Sequence, residues 1–297
     1  MSYACKILAD SVNPHDDRLT TFEVTFPRIV LAEFNTHRML SRNSASSRAI
    51  PVEKQIKRVM EDPFIPVYWG KNQKGMQAEK ELSASEKELS ASEKEDAVNQ
   101  WLWARRDAVL QAQRLAEIGV HKQITNRLLE PFIWHTVIAS GTDWQNFFNL
   151  RCHKDAQPEI RQIAVMMRDA YQAGKPRELK EGEWHLPLVD WNGPDGEFLE
   201  GPLPANPLTG QQDDAAWTLA AKISAGRCAR VSYLTHDGKR DPQADIDLCD
   251  RLVSSGHMSP LEHPAQAMNN GLMYGNFQGW LQYRKTILGE AVFQEKS

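Results

Sequence analysis

The spacing of apolar residues along the chain predicts strands and helices in alternation. Residues 3–9 and 21–34 alternate or run in β-branched and aromatic residues, which favours two strands, the second followed by a turn and a further strand or short helix. Residues 132–139 are apolar and β-branched, as in a buried strand. Helical spacing between Pro, Gly and N-cap residues predicts helices over 52–60, 97–118, 122–129, 142–150, 158–171, 215–225 and 241–255, and a capping box at 259–262.

Two stretches interrupt this pattern. Residues 79–95 hold a perfect tandem duplication of Glu-Lys-Glu-Leu-Ser-Ala-Ser followed by Glu-Lys-Glu, which is too short for a coiled coil. We interpret residues 70–97 as a charged surface insertion. Residues 174–216 are rich in Pro, Gly and Asp, and the pair Trp184 and Trp191 indicates a long ordered loop rather than a free linker.

Composition and charge narrow the class of protein. The chain has 297 residues and a net charge of −4, without the strongly basic surface of a general nucleic-acid binder. Apolar runs fall short of the ~18 residues of a membrane span, so we expect a cytoplasmic protein that binds no membrane. The four cysteines form no Cys-x-x-Cys pair and the histidines no spaced metal constellation, so we predict no disulfide framework and no metal.

One basic stretch, Thr36–Arg48, stands out against this acidic background. It holds three arginines, one histidine, several serines and no acidic residue. Arginine forks bind phosphate bidentately, and small residues let backbone N–H groups approach the same oxygens, so a phosphate or pyrophosphate ligand is indicated. On composition alone, a solvated basic turn is an equally good interpretation.

The spacing within this stretch points to a family. His37-Arg38, followed after seven residues by Ser46, resembles the Arg-His-Arg-x7-Ser signature of the flavin-dependent thymidylate synthases. Thr36 stands in the place of the first arginine, and Ser44 in the place of an acid that the family often has. The stretch 280–285 faintly echoes the family's lead-in to this signature, so we expect Arg284 to replace the missing arginine.

A second stretch runs from Asn146 to Ile160. Arg151 lies at the junction of two predicted helices, where it is either a structural clamp on helix C-terminal carbonyl groups or a cation that faces a ligand. The stretch is similar to the Asn-x-x-Asn-Leu-Arg…Ala-Gln-x-Glu-Ile segment of the same family, whose arginine contacts the uracil ring. The resemblance therefore favours the ligand-facing role.

A third resemblance lies near the end of the chain. Residues 229–232 (Ala-Arg-Val-Ser) and 256–263 (Gly-His-Met-Ser-Pro-Leu-Glu-His) look like two motifs that ordinary family members carry on the N-terminal side. We infer a permuted member, in which the usual opening segment comes last. Chain termini commonly lie close together on a domain surface, so such a reordering is physically cheap.

The resemblance implies a fold, a reaction and a site. We expect an α+β fold with a mixed or antiparallel sheet flanked by helices, as a single catalytic domain over 1–297. The reaction would convert dUMP to dTMP with methylenetetrahydrofolate as carbon donor, FAD as hydride carrier and NADPH as reductant, in a homotetramer with interface sites. The dUMP-binding residues would be Ser44, Ser46, Arg48, Arg127, Arg151 and Arg284, with Arg151 catalytic. The FAD-binding residues would be His37, Arg38, Ser44, Ser140, Asn146 and His263.

Two alternatives stay open. The departures at Thr36 and Ser44 are compatible with an FAD- and nucleotide-binding oxidoreductase that has lost methylation. A nucleotide- or RNA-binding module could instead use the basic stretch together with aromatic residues such as Trp101 and Trp103. Ser46 resembles a nucleophile in isolation, but no His-acid pair stands beside it in sequence, so we expect it to donate a hydrogen bond.

Overall fold

The computed structural model describes residues 2–72, 74, 91–199, 214–236, 238 and 240–290. Its largest sheet has five strands in the order β3-β4-β2-β1-β5. The strands are β1 (Ala4–Val12), β2 (Arg18–Pro27), β3 (Ser41–Ser44), β4 (Trp134–Gly141) and β5 (Arg177–Glu178). Neighbouring strands are antiparallel except β1 and β5, which are parallel. The sheet is therefore mixed, and the predicted α+β class is confirmed.

Helices flank this sheet. They are α1 (Leu31–Asn35), α2 (Val52–Glu61), α3 (Ala91–Glu117), α4 (Lys122–Thr125), α5 (Gln145–Arg151), α6 (Pro158–Ala173), α7 (Pro194–Phe198), α8 (Asp214–Arg230), α9 (Pro242–Ser254) and α10 (Tyr283–Thr286). Short 3₁₀ helices cover Arg28–Val30, Asn126–Phe132, Val231–Tyr233 and Ser259–Glu262. No helix in the described residues is long and apolar enough to cross a membrane.

Smaller sheets form in the second half of the chain. One has the strand order β10-β7-β6 and another pairs β8 with β9. Their strands are β6 (Trp184–His185), β7 (Ala265–Ala267), β8 (Met273–Tyr274), β9 (Phe277–Gln278) and β10 (Trp280–Gln282). Strand β6 belongs to the predicted loop over 174–216, so part of that stretch is regular structure, and its residues 200–213 lie outside the described residues.

The main core lies between the sheet and α6. Pro158 opens α6 at its first turn, and the predicted apolar face is fully buried. Its members Ile160, Ile163, Ala164 and Met167 are all 0% exposed and belong to one cluster with Phe22, Val24 and Phe26 of β2. The apolar face of α6, which repeats at helical spacing, thus packs against the apolar residues of β2, which alternate as in a strand.

A second packing centre holds α7, α8 and α9 together. Arg227 of α8 is buried and donates to the carboxylates of Asp195 on α7 and Asp245 on α9. Gly226 lies so close to α9 that a Cβ there would clash with the carbonyl oxygen of Asp245. The buried charges are paired, as such groups must be, and they fix the end of α8 that carries Arg230.

Some predicted elements differ from the structure. Helix α3 begins at Ala91, so residues 91–97 of the predicted insertion are helical, while its residues 75–90 lie outside the described residues. The helix predicted over 122–129 is the single turn α4 followed by a 3₁₀ helix that includes Pro131. The capping box is wrong, because the N-cap of the 3₁₀ helix Ser259–Glu262 is Met258 and it makes no side-chain capping bond.

Candidate active site

A cavity of about 820 Å³ opens where the chain after β3 meets the ends of α8 and α9. The basic stretch contributes Asn43, Ser46 and Arg48 to its wall. The C-terminal half contributes Arg230, Ser232, Tyr233, Arg251, His257 and Ser259 among other residues. The described lining residues include three arginines and no carboxylate. The chemistry of this lining suits an anionic ligand.

Backbone hydrogen bonds fix the loop that carries Ser46 and Arg48. The N–H of Ala45 donates to the carbonyl of Thr136 at 2.9 Å, and the N–H of Ser46 donates to the carbonyl of Ser232 at 3.0 Å. The buried amide of Asn126 donates to the carbonyls of Ser47 and Ile50 at 2.7 and 2.9 Å. The bond from Ser46 to Ser232 joins the signature serine to the Ala-Arg-Val-Ser stretch, so the structure brings the basic stretch and the C-terminal motifs together.

The cavity arginines differ in how they are held. Nε of Arg230 donates to a carboxylate oxygen of Asp245 at 2.5 Å, and Asp245 is 1% exposed. No hydrogen bond or ion pair joins the exposed side chains of Arg48 and Arg251 to another described residue. Arg230 is thus a fixed part of the wall, while the forks of Arg48 and Arg251 have their donors available for an incoming phosphate.

Arg127 is connected to the same loop through Glu130. Nη1 of Arg127 donates to Oε1 of Glu130 at 2.7 Å, and the hydroxyl of Ser47 donates to the same oxygen at 3.1 Å. Arg28 adds a longer contact to that oxygen at 3.3 Å. Since Ser47 directly precedes Arg48, the structure places the predicted nucleotide-binding Arg127 beside the loop of the basic stretch.

Arg151 and His37 form a separate cluster at the end of α1. Nε of Arg151 donates to Nε2 of His37 at 2.9 Å, and Nη2 donates to the hydroxyl of Thr36 at 3.0 Å and the carbonyl of Glu33 at 3.3 Å. Arg42 also donates to the carbonyl of His37, at 2.9 Å. Arg42 donates to the carbonyls of Phe34 and Asn35 as well, so two arginines cap the C-terminal carbonyls of α1, as helix dipoles favour. The clamp geometry considered for Arg151 is present, on α1 rather than on its own helix.

The electrostatics of His37 follow from these neighbours. Burial lowers the pKa of His37 to about 4, and the adjacent charges of Arg151 and Arg42 add to the effect. The imidazole is therefore neutral at pH 7, which leaves Nε2 free to accept from Arg151. Nη1 of Arg151 makes no bond to a described residue and remains available. The exposed side chain of Arg38 likewise has no hydrogen bond or ion pair within the described part of the chain.

The remaining predicted site residues lie in three other environments. Ser44 ends β3, opposite Val137 of β4. Asn146 is exposed on α5. Ser140 and His263 are both 0% exposed, and they bond to each other at 2.8 Å. Neither side chain reaches the surface, so a direct contact with a bound cofactor would require this part of the core to open.

Arg284 is paired with acids. Its guanidinium donates to Glu262 at 2.6 Å and to Glu290 at 2.7 Å. Thr36 instead receives a hydrogen bond from Arg151. These contacts leave the predicted replacement of the missing signature arginine by Arg284 a prediction, and they show that Thr36 is held by Arg151.

A second cavity, of about 890 Å³, is lined partly by residues 154–159 and by Arg161, which belong to or flank the Ala-Gln-x-Glu-Ile segment. Aromatic residues Tyr68, Trp69 and Trp101 form its other wall. The indole N–H of Trp101 donates to the carbonyl of Phe64 at 2.9 Å, and its ring packs against Phe132. Trp101 is thus half-buried and partly occupied by packing, whereas Trp103 on the same helix is 54% exposed.

Sequence reasoning missed several cavity residues. Arg230 and His257 stood inside the quoted C-terminal motifs, so a signal for them was present. Arg251 gave no signal, because one arginine on an amphipathic helix is normally a solvated surface residue. Asn43 lies in the basic stretch, where an uncharged amide gives no separate signal of an anion site.

Comparison with known proteins identifies the class. A family model described as thymidylate synthase complementing protein matches residues 16–177, and the chain belongs to that family. It is thus a thymidylate synthase-like protein. No curated protein matches the chain. Among solved structures, a UMP/dUMP methylase PolB from Streptomyces cacaoi bound with 5-Br UMP is similar at 17% identity and a TM-score of 0.46, over 58% of this chain and 89% of that one. The same methylase bound with 5-Br dUMP is similar at 15% identity and a TM-score of 0.45, over 57% of this chain and 90% of that one.

Proposed function

We propose that this protein is a flavin-dependent thymidylate synthase that converts dUMP to dTMP, with methylenetetrahydrofolate as carbon donor and NADPH as reductant. Family membership supports the reaction, and the carboxylate-free arginine cavity is the structural observation that supports a nucleotide substrate. The alternative oxidoreductase would use the same cavity. A module that binds RNA would have Trp103 as its exposed ring, since Trp101 is half-buried and packs against Phe132, and family membership supports the enzyme instead.

The proposed dUMP site is the cavity beside the basic stretch. Arg48 and Arg251 would bind the phosphate, Ser46 would donate from its hydroxyl, and Arg127 would approach from the Glu130 side. A charge-assisted hydrogen bond contributes about 1.5–3 kcal/mol, which corresponds to roughly 10- to 150-fold in affinity. Loss of either Arg48 or Arg251 is thus expected to lower the affinity for dUMP at least tenfold.

The residues also fit FAD, which would bring a pyrophosphate to the site. The arginine-rich, acid-free lining has the chemistry that a pyrophosphate requires, and the cavity volume lies in the upper part of the range of about 300–1,000 Å³ for small-molecule sites. Arg38 and Asn146, both exposed, are further proposed FAD contacts, and His37 accepts a hydrogen bond from Arg151. Bound FAD would supply the hydride transfer that completes the methyl group.

Arg151 is the proposed stabiliser of negative charge on the uracil ring. Its Nε and Nη2 are held by His37, Thr36 and Glu33, so its guanidinium is fixed before any ligand arrives. A fixed donor stabilises developing charge without reorganising during the reaction. However, Arg151 does not line the cavity of Arg48. We therefore propose that a second copy of the chain supplies Arg151, in the homotetramer that the family resemblance implies.

Subunit mixing tests this arrangement. Arg48→Ala and Arg151→Ala enzymes are mixed under conditions that exchange subunits, and dTMP formation is measured at a dUMP concentration low enough that each variant alone is nearly inactive. If the site is shared between copies, some mixed tetramers combine one intact Arg48 with one intact Arg151 and activity returns. If the mixture stays as inactive as its components, both arginines act within one chain. Arg168→Ala is the control, because it removes a half-exposed arginine of α6 whose guanidinium pairs with the neighbouring Asp169.

The substrate is tested by calorimetric titration of dUMP into wild type, Arg48→Ala and Arg251→Ala. We expect wild-type binding and a loss of tenfold or more in each cavity variant, with the Arg168→Ala control unchanged. Equal affinities in all four proteins would contradict the proposed site.

A further inference from the structure

A continuous chain of polar side chains runs through the protein interior and ends at the active-site cavity. Its links are Ser11 to His185 (2.9 Å), His185 to Thr21 (2.8 Å), Thr21 to Ser140 (2.6 Å), Ser140 to His263 (2.8 Å) and His263 to Asn43 (3.0 Å). All members except Asn43 are buried, with exposures of 0–5%. Asn43 lies on β3 and lines the cavity.

The surroundings of Asn43 set the direction of these hydrogen bonds. One amide atom of Asn43 lies 3.1 Å from the carbonyl oxygen of Ser259, 3.2 Å from that of Arg42 and 3.0 Å from Nε2 of His263. Two carbonyl acceptors require a donor, so this atom is the amide nitrogen. Nε2 of His263 then accepts from Asn43, and Nδ1–H of His263 donates to Ser140.

Each later link follows from the first. The hydroxyl of Ser140 accepts from His263 and so donates to Thr21, and the hydroxyl of Thr21 donates to Nε2 of His185. Nδ1–H of His185 then donates to Ser11. Every group uses one donor and one acceptor, provided that both imidazoles are neutral. Burial lowers the pKa of His263 and of His185 to about 3, so both are neutral at pH 7.

The same orientation decides what Asn43 presents to a ligand. Its second amide atom lies 3.4 Å from the hydroxyl of Ser259, which also lines the cavity. With the nitrogen held on His263, this second atom is the carbonyl oxygen, a hydrogen-bond acceptor in a wall otherwise rich in donors. A cavity lined by arginines and one fixed amide oxygen can bind an anion at one end and an N–H group at the other.

We propose that Asn43 is a specificity residue that accepts a hydrogen bond from the imide N–H of a ring bound in this cavity, and that the buried chain holds it in that orientation. The proposal rests on the proposed function, because uracil and the flavin ring both carry an imide N–H flanked by two carbonyls. It adds a recognition role for Asn43, and a positioning role for Ser140 and His263 in place of direct flavin contact.

Ligands methylated at the imide nitrogen test the recognition role and separate the two sources of the ring. Affinities of dUMP, N3-methyl-dUMP, FAD and 3-methyl-FAD are measured with wild type, Asn43→Ala and the control Asn192→Ala, an exposed asparagine before α7. In wild type and the control, we expect one methylated ligand to bind about tenfold more weakly than its unmethylated parent. In Asn43→Ala, that ligand and its parent should bind with equal affinity. The ligand that is rejected identifies the ring. Discrimination that is absent from wild type, or undiminished in Asn43→Ala, overturns the proposal.

Histidine tautomers test the orientation in the ligand-free protein. In ¹⁵N NMR spectra of histidine-labelled wild type at pH 7, His263 and His185 should both be neutral with the proton on Nδ1. A proton on Nε2 of His263 would mean that Asn43 turns its oxygen inward, and the proposal would be wrong. If neither dUMP nor FAD binds wild type at all, the proposed function fails and the recognition role with it, while the spectra still decide how Asn43 is oriented.

Discussion

Replacement of Arg151 separates its two roles, because the structure gives it clamp contacts and a free nitrogen at once. Arg151→Ala removes donors to His37, Thr36 and Glu33. Hydrogen bonds from a charged group contribute about 1.5–3 kcal/mol, but this side chain is only half-buried, so we expect a total loss of about 2 kcal/mol. The melting temperature should fall by several degrees.

The catalytic role predicts a different magnitude. Loss of one fixed donor to a developing anion typically costs about 10²–10³ in turnover. Arg151→Lys distinguishes the two effects, because an ammonium group can reach the carbonyl of Glu33 and the hydroxyl of Thr36 but cannot reproduce the planar fork. We expect Lys to recover much of the stability and little of the turnover.

The assays are thermal unfolding followed by flavin absorbance, and tritium release from 5-tritiated dUMP. Arg168→Ala is the control and should stay within about 0.5 kcal/mol of wild type in stability. If the folded fraction of Arg151→Ala turns over normally, or if Lys restores turnover as fully as stability, Arg151 is a clamp alone.

Three further predictions concern the buried histidines, the ion pairs of Arg284 and the duplicated segment. Burial lowers the pKa of three histidines to about 3; they are His135, His185 and His263. In the unfolded state their pKa is about 6.5, so below that pH the unfolded state binds protons that the folded state does not. The free energy of unfolding should therefore fall by about 2 kcal/mol per histidine between pH 7 and pH 5. An unchanged urea midpoint would contradict this. Arg284→Ala should lower the melting temperature and leave dUMP affinity within twofold, since Arg284 pairs with Glu262 and Glu290; a tenfold loss of affinity would restore its predicted ligand role. Deletion of residues 79–85, one copy of the duplication, should leave flavin content and melting temperature near wild type, because the repeat offers little apolar surface.

Sequence predicted the elements whose apolar pattern is strong. Helix α6 is an example, because its buried face repeats at helical spacing and Pro158 marks its start. Strand β3 was missed, since its residues Ser41–Ser44 are all polar and their extended conformation comes from pairing with β4. Tertiary pairing outweighs local propensity in such a short strand.

The candidate site was predictable by motif but not by arrangement. The basic stretch and the C-terminal motifs were singled out separately, and only the fold shows that Ser46 and Ser232 are hydrogen-bonded neighbours. The partners of Arg151 and His263 are 114 and 220 residues away along the chain, a distance at which residue spacing carries no information. Residue spacing could therefore suggest a functional role for His263, but not that His263 is buried and hydrogen-bonded to Asn43.

Tritium release from 5-tritiated dUMP tests the central claim most directly, because it reports replacement of the hydrogen at the carbon that is methylated. Purified protein is supplied with dUMP, methylenetetrahydrofolate, FAD and NADPH, and each component is omitted in turn. We predict release into water with all components, dTMP formed in equal amount, and loss of both when FAD or the folate is omitted. Oxidation of NADPH without tritium release or dTMP, in protein that binds FAD, would contradict the thymidylate synthase assignment and leave a flavin oxidoreductase.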